Sequence, residues 1–94
     1  MIIRRIDMIV EYQRKHADSV VPLTSWVKLA RLAKWQTPQD IKNAISSADF
    51  LSGNRVIFNI GGNKHRLVVM VVYVNGEIYV RWIGTHAEYS RKKF

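Results

Sequence analysis

The sequence predicts an α+β fold: two main helices and a short third, packed on one face of an antiparallel meander of three to four strands. Three observations lead there. Helical spacing of apolar residues is confined to the first half of the chain. In the second half, strand-like apolar runs are punctuated by Gly61-Gly62 and Asn75-Gly76, pairs suited to two-residue hairpin turns that need positive φ. Helices then strands, without alternation, place the helices on one side of an antiparallel sheet rather than around a parallel one.

Met1–Ile3 is short and β-prone, fit for an edge strand. Over 5–16, Ile6, Ile9, Val10 and Gln13 mark one helical face, with Asp7, Glu11, Arg14 and Lys15 opposite; His16 falls at the C-terminal end, beside the negative pole of the helix. Asp18-Ser19 breaks the pattern. Pro22 suits the first turn of a second helix over 22–35, striped by Leu23, Trp26, Val27, Ala30 and Ala33, with Lys28, Arg31 and Lys34 off the stripe. Thr37-Pro38-Gln39-Asp40 is a helix start, with Thr as cap, Pro in the first position and an acid in the first turn; the short helix carries Ile41, Ala44 and Ile45.

Two-residue turns at both glycine-containing pairs fix a register. Val69 then faces Trp82, Val71 faces Val80, Val56 faces Leu67, and His65 faces His86. One sheet face collects Val56, Phe58, Leu67, Val69, Val71, Ile78, Val80 and Trp82, the core side. The other collects Arg55, Ile57, Lys64, Arg66, Val68, Met70, Tyr79 and Arg81. A one-residue slip of the first strand would turn Arg55 into the core, so the alternation itself favours this arrangement.

With 94 residues the chain is expected to form a single domain over 1–94. It has no cysteine, which removes disulfides, zinc thiolates and thiol nucleophiles and suits the reducing cytoplasm. Asp7 and Glu11 interrupt the N-terminal apolar stretch, against a signal peptide, and no run reaches membrane-spanning length. Fifteen Lys and Arg against seven Asp and Glu give a formal charge of +8. Residues 55–94 hold seven of those cations and only two acids, Glu77 and Glu88. Basic side chains can simply solubilise a small domain. Concentrated on one half, they point to a phosphate-bearing partner.

Arginines on the strands themselves sharpen that reading. Arg66 and Arg81, with Arg55 and Lys64, share the open face, where guanidinium groups offer planar, bidentate phosphate contacts. His86, just past Gly84-Thr85, is a candidate general acid or base near neutral pH, and Tyr89 is a second candidate donor. No histidine spacing fits a metal site, so neither metal nor cofactor is expected. Trp26 and Trp82 read as core, Trp35 as ambiguous. No triad surrounds Ser46, Ser47 or Thr85, which excludes serine-hydrolase chemistry.

The blocks Ser47-Ala48-Asp49-Phe50-Leu51, Gly53-Asn54-Arg55-Val56, Phe58-Asn59-Ile60, Gly62-Asn63-Lys64 and Arg66-Leu67-Val68, and the terminal Gly84-Thr85-His86-Ala87-Glu88-Tyr89, resemble the HigB toxins of bacterial type II toxin–antitoxin modules. So do Ala33-Lys34-Trp35 and Thr37-Pro38 with Asp40-Ile41-Lys42. The resemblance implies a RelE-like fold and a ribosome-dependent mRNA endoribonuclease, held inactive by a HigA-like antitoxin through which the complex contacts operator DNA. It implies that Arg66, in Lys64-x-Arg66-Leu67, meets the scissile phosphate. His86 and Tyr89 would then share the proton transfers, and Arg55, Lys64, His65 and Arg81 would bind RNA. Relatives commonly carry Tyr at position 65; His65 here could still stack on a base. They often carry Pro at position 52, which is Ser here. The expected chemistry is metal-free attack of a 2′-hydroxyl on the adjacent phosphate. Two other readings stay open: a non-enzymatic RNA- or ribosome-binding module, and a gyrase poison of the same superfamily. The expected place is the cytoplasm, away from membranes, and the expected antitoxin seat is the exposed side of helices 5–16 and 22–35.

Overall fold

A computed structural model describes residues 1–92; of the basic tail, Lys93 lies outside the described residues. Strand β1 (Ile2–Arg4) leads into α1 (Ile6–Lys15), a single 3-10 turn (Ala17–Ser19), α2 (Val20–Leu32) and α3 (Pro38–Ala44). Strands β2 (Asp49–Leu51), β3 (Arg55–Ile60), β4 (His65–Val72) and β5 (Glu77–Thr85) follow, and α4 (His86–Arg91) closes the order. The sheet runs β1-β5-β4-β3-β2, antiparallel throughout except for β1, which pairs parallel with β5.

The α+β expectation holds, with five strands instead of three to four. β2 has only three residues and no alternating pattern to betray it. It is held by pairing Asp49 to Ile57 and Leu51 to Arg55. α4 is too short for periodicity to reveal. Its start is nevertheless written in the sequence as a capping box, in which the Thr85 hydroxyl accepts from the Glu88 amide and the Glu88 carboxylate from the Thr85 amide. α3 begins as expected, with Thr37 and Asp40 exchanging the same bonds. α2 starts two residues before Pro22, directly out of the 3-10 turn, and ends at Leu32. Beyond it the backbone extends, and Trp35 turns into the core, its ring 6.2 Å from that of Phe58.

The helices cover one sheet face. Ile9 of α1, Leu23, Trp26 and Ala30 of α2 and Ile41 of α3 bury against Val56, Phe58, Leu67, Val69, Val71, Ile78 and Val80. These are the strand residues expected on the core side, although both hairpins are longer than two-residue turns allow. β3 leaves at Ile60 and β4 begins at His65, so Gly61 to Lys64 form a four-residue loop in which Gly61 and Gly62 both take positive φ. Val72 pairs with Glu77 across a second loop of four, Tyr73 to Gly76. Each loop is two residues longer than expected. A shift of two preserves side-chain parity, so the faces come out as assigned while the partners change: Val56 faces Val69, and Val69 faces Val80.

One residue breaks that parity. Val69 faces Val80 but Val68 faces Trp82, leaving Arg81 as an extra residue in a β-bulge. From Trp82 onward β5 is therefore inverted relative to the expected register. Ile83, opposite Leu67, packs against the core instead of Trp82. Trp82 is moved to the open face, beside Val68, which corrects its assignment to the core. Re-aiming a side chain in this way is what bulges do.

Candidate nucleic-acid interface

The sheet face turned away from the helices carries Arg55, Ile57 and Asn59 of β3, Arg66, Val68 and Met70 of β4, and Tyr79, Arg81, Trp82 and Gly84 of β5 in cross-strand register. Ile57 and Val68 are buried here, outside the main core cluster. The face thus has an apolar floor with cations around it. α4 packs at its β4–β5 end, and the Tyr89 ring lies 6.1 Å from that of Trp82.

Arg66 is the centre of this arrangement. It is only 8% exposed, its Nη1 donates to the carbonyl of His65 at 3.2 Å, and its Cζ lies 6.0 Å from the centroid of Tyr89. Among the described residues no carboxylate lies within ion-pair distance of it. A buried guanidinium without an acid is costly unless something anionic completes it. The other cations are less enclosed. Arg55 Nε donates to the Ser52 carbonyl at 2.9 Å, and Arg81 Nη2 approaches the Met70 sulfur at 3.8 Å. Lys92 holds its Nζ 5.8 Å over the Trp82 ring.

Gly84 makes room for that ring. A Cβ at position 84 would stand 2.5 Å from Trp82 Cη2 and 2.6 Å from Cζ2, so the indole lies against the bare backbone two residues on. Glu88 is beside it, 3.2 Å from the same point, and its carboxyl is held below the usual range by the Thr85 amide and hydroxyl. His86 opens α4 as an exposed residue, and its amide donates to the Lys64 carbonyl at 2.9 Å. Pairing of Arg66 with Gly84 sets Arg66, His86 and Tyr89 at one end of the sheet.

Two expected members are elsewhere. His65 neighbours Arg66 on the strand and so points the opposite way. The residue is 3% exposed, with Nδ1 2.6 Å from the Tyr12 hydroxyl and Nε2 3.1 Å from Asp18 Oδ1. It pairs with Thr85, not His86, because the longer loop shifts the register by two residues and the bulge returns one. Base stacking by His65 is excluded by this burial. Lys64 sits in the loop rather than on a strand, its ammonium 4.0 Å from Asp18 on the helix side. Trp82 is the open-face residue that sequence reasoning missed; the only hint was Arg81, a charge interrupting an otherwise apolar strand.

A family model for the HigB toxin, the RelE-like toxic component of a toxin–antitoxin system, matches residues 19–92. The chain belongs to the HigB toxin family. The mRNA interferase HigB of Escherichia coli O6:H1 (strain CFT073) is 28% identical over 83 residues, 86% of this chain and 81% of the relative. The mRNA interferase toxin HigB of Escherichia coli (strain K12) is 33% identical over 78 residues, 81% of this chain and 72% of the relative. The mRNA interferase HigB of Shigella flexneri matches with the same figures. The match takes in every residue of the open face. It begins at Ser19, after α1, so Tyr12, the partner of His65, lies outside it.

Proposed function

We propose that this HigB family member is an mRNA endoribonuclease whose open sheet face binds RNA and whose Arg66 stabilises the reacting phosphate. The observation that carries this reading is the enclosed Arg66 guanidinium, without a carboxylate among the described residues, beside the His65 carbonyl and the Tyr89 ring on a face with Arg55 and Arg81. The 2′-oxygen attacks the adjacent phosphorus and the P–O5′ bond breaks, giving a 2′,3′-cyclic phosphate and a 5′-hydroxyl. His86 and Tyr89 share the two proton transfers, one from the 2′-hydroxyl and one to the departing 5′-oxygen. No water is activated in that step, so the chemistry does not call for a divalent ion. Arg66 meets the charge that builds on the non-bridging oxygens. Arg55 and Arg81 position the backbone, and Trp82 offers a base-stacking surface.

The reaction takes place on translating ribosomes in the cytoplasm. With no strong base–acid pair preassembled among the described residues, the domain takes part of its substrate geometry from the ribosome. A HigA-like antitoxin keeps it inactive, and operator DNA is contacted only through that antitoxin. The test is to incubate the protein with translating ribosomes and map mRNA 5′ ends. Discrete, codon-associated ends carrying 5′-hydroxyls are expected. Ribosome occupancy without new ends would make it a binding module, and DNA damage without new ends a gyrase poison.

A further inference from the structure

α1 and α2 differ in a way that packing on the sheet does not account for. α1 has a polar outer face, with Glu11 paired to Arg14 and Lys15. α2 has no acidic residue in Val20–Leu32, and its outward side sets Val20, Val21, Leu29 and Leu32 among Thr24, Ser25, Lys28 and Arg31. Val21 and Leu32 are 75% and 76% exposed, and Val20 is also exposed. Val21, Thr24, Lys28 and Leu32 form one stripe at helical spacing, with Val20, Val27 and Arg31 alongside. A hollow lined by Thr24, Val27, Lys28, Arg31 and Leu32 continues this stripe, and a second, between the helices, adds Ile6, Val10 and Gln13. Large apolar side chains grouped on an exposed helix face around a hollow mark a surface that a partner covers.

We propose that this outer face of α2, with the groove it shares with α1, is where the antitoxin docks, through an acidic segment that presents apolar side chains at helical spacing. The inference rests on the antitoxin partnership proposed above. Charge selects the occupant: Lys28 lies within the stripe and Arg31 beside it, neither forms an ion pair among the described residues, and α2 supplies no acid to satisfy them. A second copy of this chain would bring +8 to a surface already cationic. At 1.5 Å per residue α2 is about 20 Å long, enough for three turns of a partner helix. Because Leu23, Trp26 and Ala30 face the sheet from the opposite side of α2, an occupant here leaves the Arg66 face uncovered.

The test uses the full chain carrying Arg66→Ala, so that it can be produced safely, and the antitoxin encoded in the same module. Val21→Asp with Leu32→Asp is expected to weaken the Kd about 100-fold, near tenfold for each lost anchor. Both positions are exposed, so the melting temperature stays put. Lys28→Glu with Arg31→Glu is expected to weaken binding and flatten its salt dependence. Arg55→Glu with Arg81→Glu should leave the Kd within about twofold. The proposal is overturned if both α2 pairs bind like the parent, if only the Arg55 and Arg81 reversal abolishes binding, or if sedimentation shows the chain alone dimerising in a way that Val21→Asp disrupts. The Kd is read without RNA or ribosomes. Absence of mRNA cleavage by the wild-type chain would therefore count against the enzymatic reading and leave the docking result standing.

Discussion

The Tyr12 hydroxyl lies 2.6 Å from Nδ1 of His65, joining the middle of α1 to the first residue of β4. Asp18 takes the other ring nitrogen at 3.1 Å, and His16 stacks on Tyr12 with ring centroids 4.1 Å apart. The assignment that serves all three groups has Nε2–H donating to Asp18 and Nδ1 accepting the tyrosine proton. The backbone of the same histidine offers its carbonyl to Arg66. A buried polar network on the helix side thus fixes the strand residue that orients the guanidinium on the open side.

Tyr12→Phe is expected to destabilise the fold. It keeps the ring but leaves a buried nitrogen of His65 without its partner, a loss of about 1–3 kcal/mol. In a chain of this size each kcal/mol moves the melting temperature by about 4–8 °C. Thermal unfolding checks the value. A melting temperature unchanged from wild type would mean that water replaces the hydroxyl and that the network is not structural.

The same tyrosine predicts an alkaline weakness. Burial, then the charges of Glu88 and Asp18, push the Tyr12 pKa up to about 12. An unfolded tyrosine ionises near pH 10. Between those values the unfolded chain has lost a proton that the folded chain keeps, so stability falls as pH rises; it is complete below about pH 10 and is lost as pH rises through about 12. Tyr73, raised mainly by burial, acts in the same direction. Urea titrations across this range should show a negative slope that is shallower in Tyr12→Phe. Equal slopes in the two proteins would place the effect on other groups.

The sequence made the core legible because parity forgives errors of two. Both hairpin loops are longer than expected, yet Val56, Leu67, Val69, Val71 and Ile78 all face the helices. The bulge at Arg81 was not legible, since one extra residue leaves no mark in an apolar run. That single residue sends Trp82 to the open face and Ile83 to the core. For His65, the resemblance supplied a role at that position. The burial came from Tyr12 and Asp18, two residues from a distant helix and turn whose contact no local pattern encodes. The place of Arg66 on the open face was legible from strand alternation. Its depth under Tyr89 was not, because α4 is too short to be seen as a helix.

Gly84→Ala should unseat Trp82. The added Cβ would fall within 2.6 Å of two indole carbons, so the ring must swing away from the β5 backbone and from Tyr89. Tryptophan near-UV circular dichroism should change while the far-UV spectrum does not. RNA affinity should fall by about tenfold or more, the scale of one lost stacked base. If the indole signal moves and RNA binding does not, Trp82 has no stacking role.

Arg66 offers the sharpest separation of function from structure. Its charge is buried without a carboxylate among the described residues, so the folded state bears a desolvation cost that an apolar side chain of similar length would not. Arg66→Met should therefore melt at or above the wild-type temperature, despite losing the bond to the His65 carbonyl. mRNA cleavage on ribosomes should fall by about 100- to 1,000-fold, the usual effect of removing one electrostatic donor to a transition state. Arg66→Lys keeps a charge but loses the planar fork, and should fall between the two. A purely structural arginine predicts the opposite pairing: a lower melting temperature in Arg66→Met, with cleavage per folded molecule intact. Measuring both quantities on the same preparations decides between a side chain kept for stability and one kept, at some expense to stability, for the phosphate it meets.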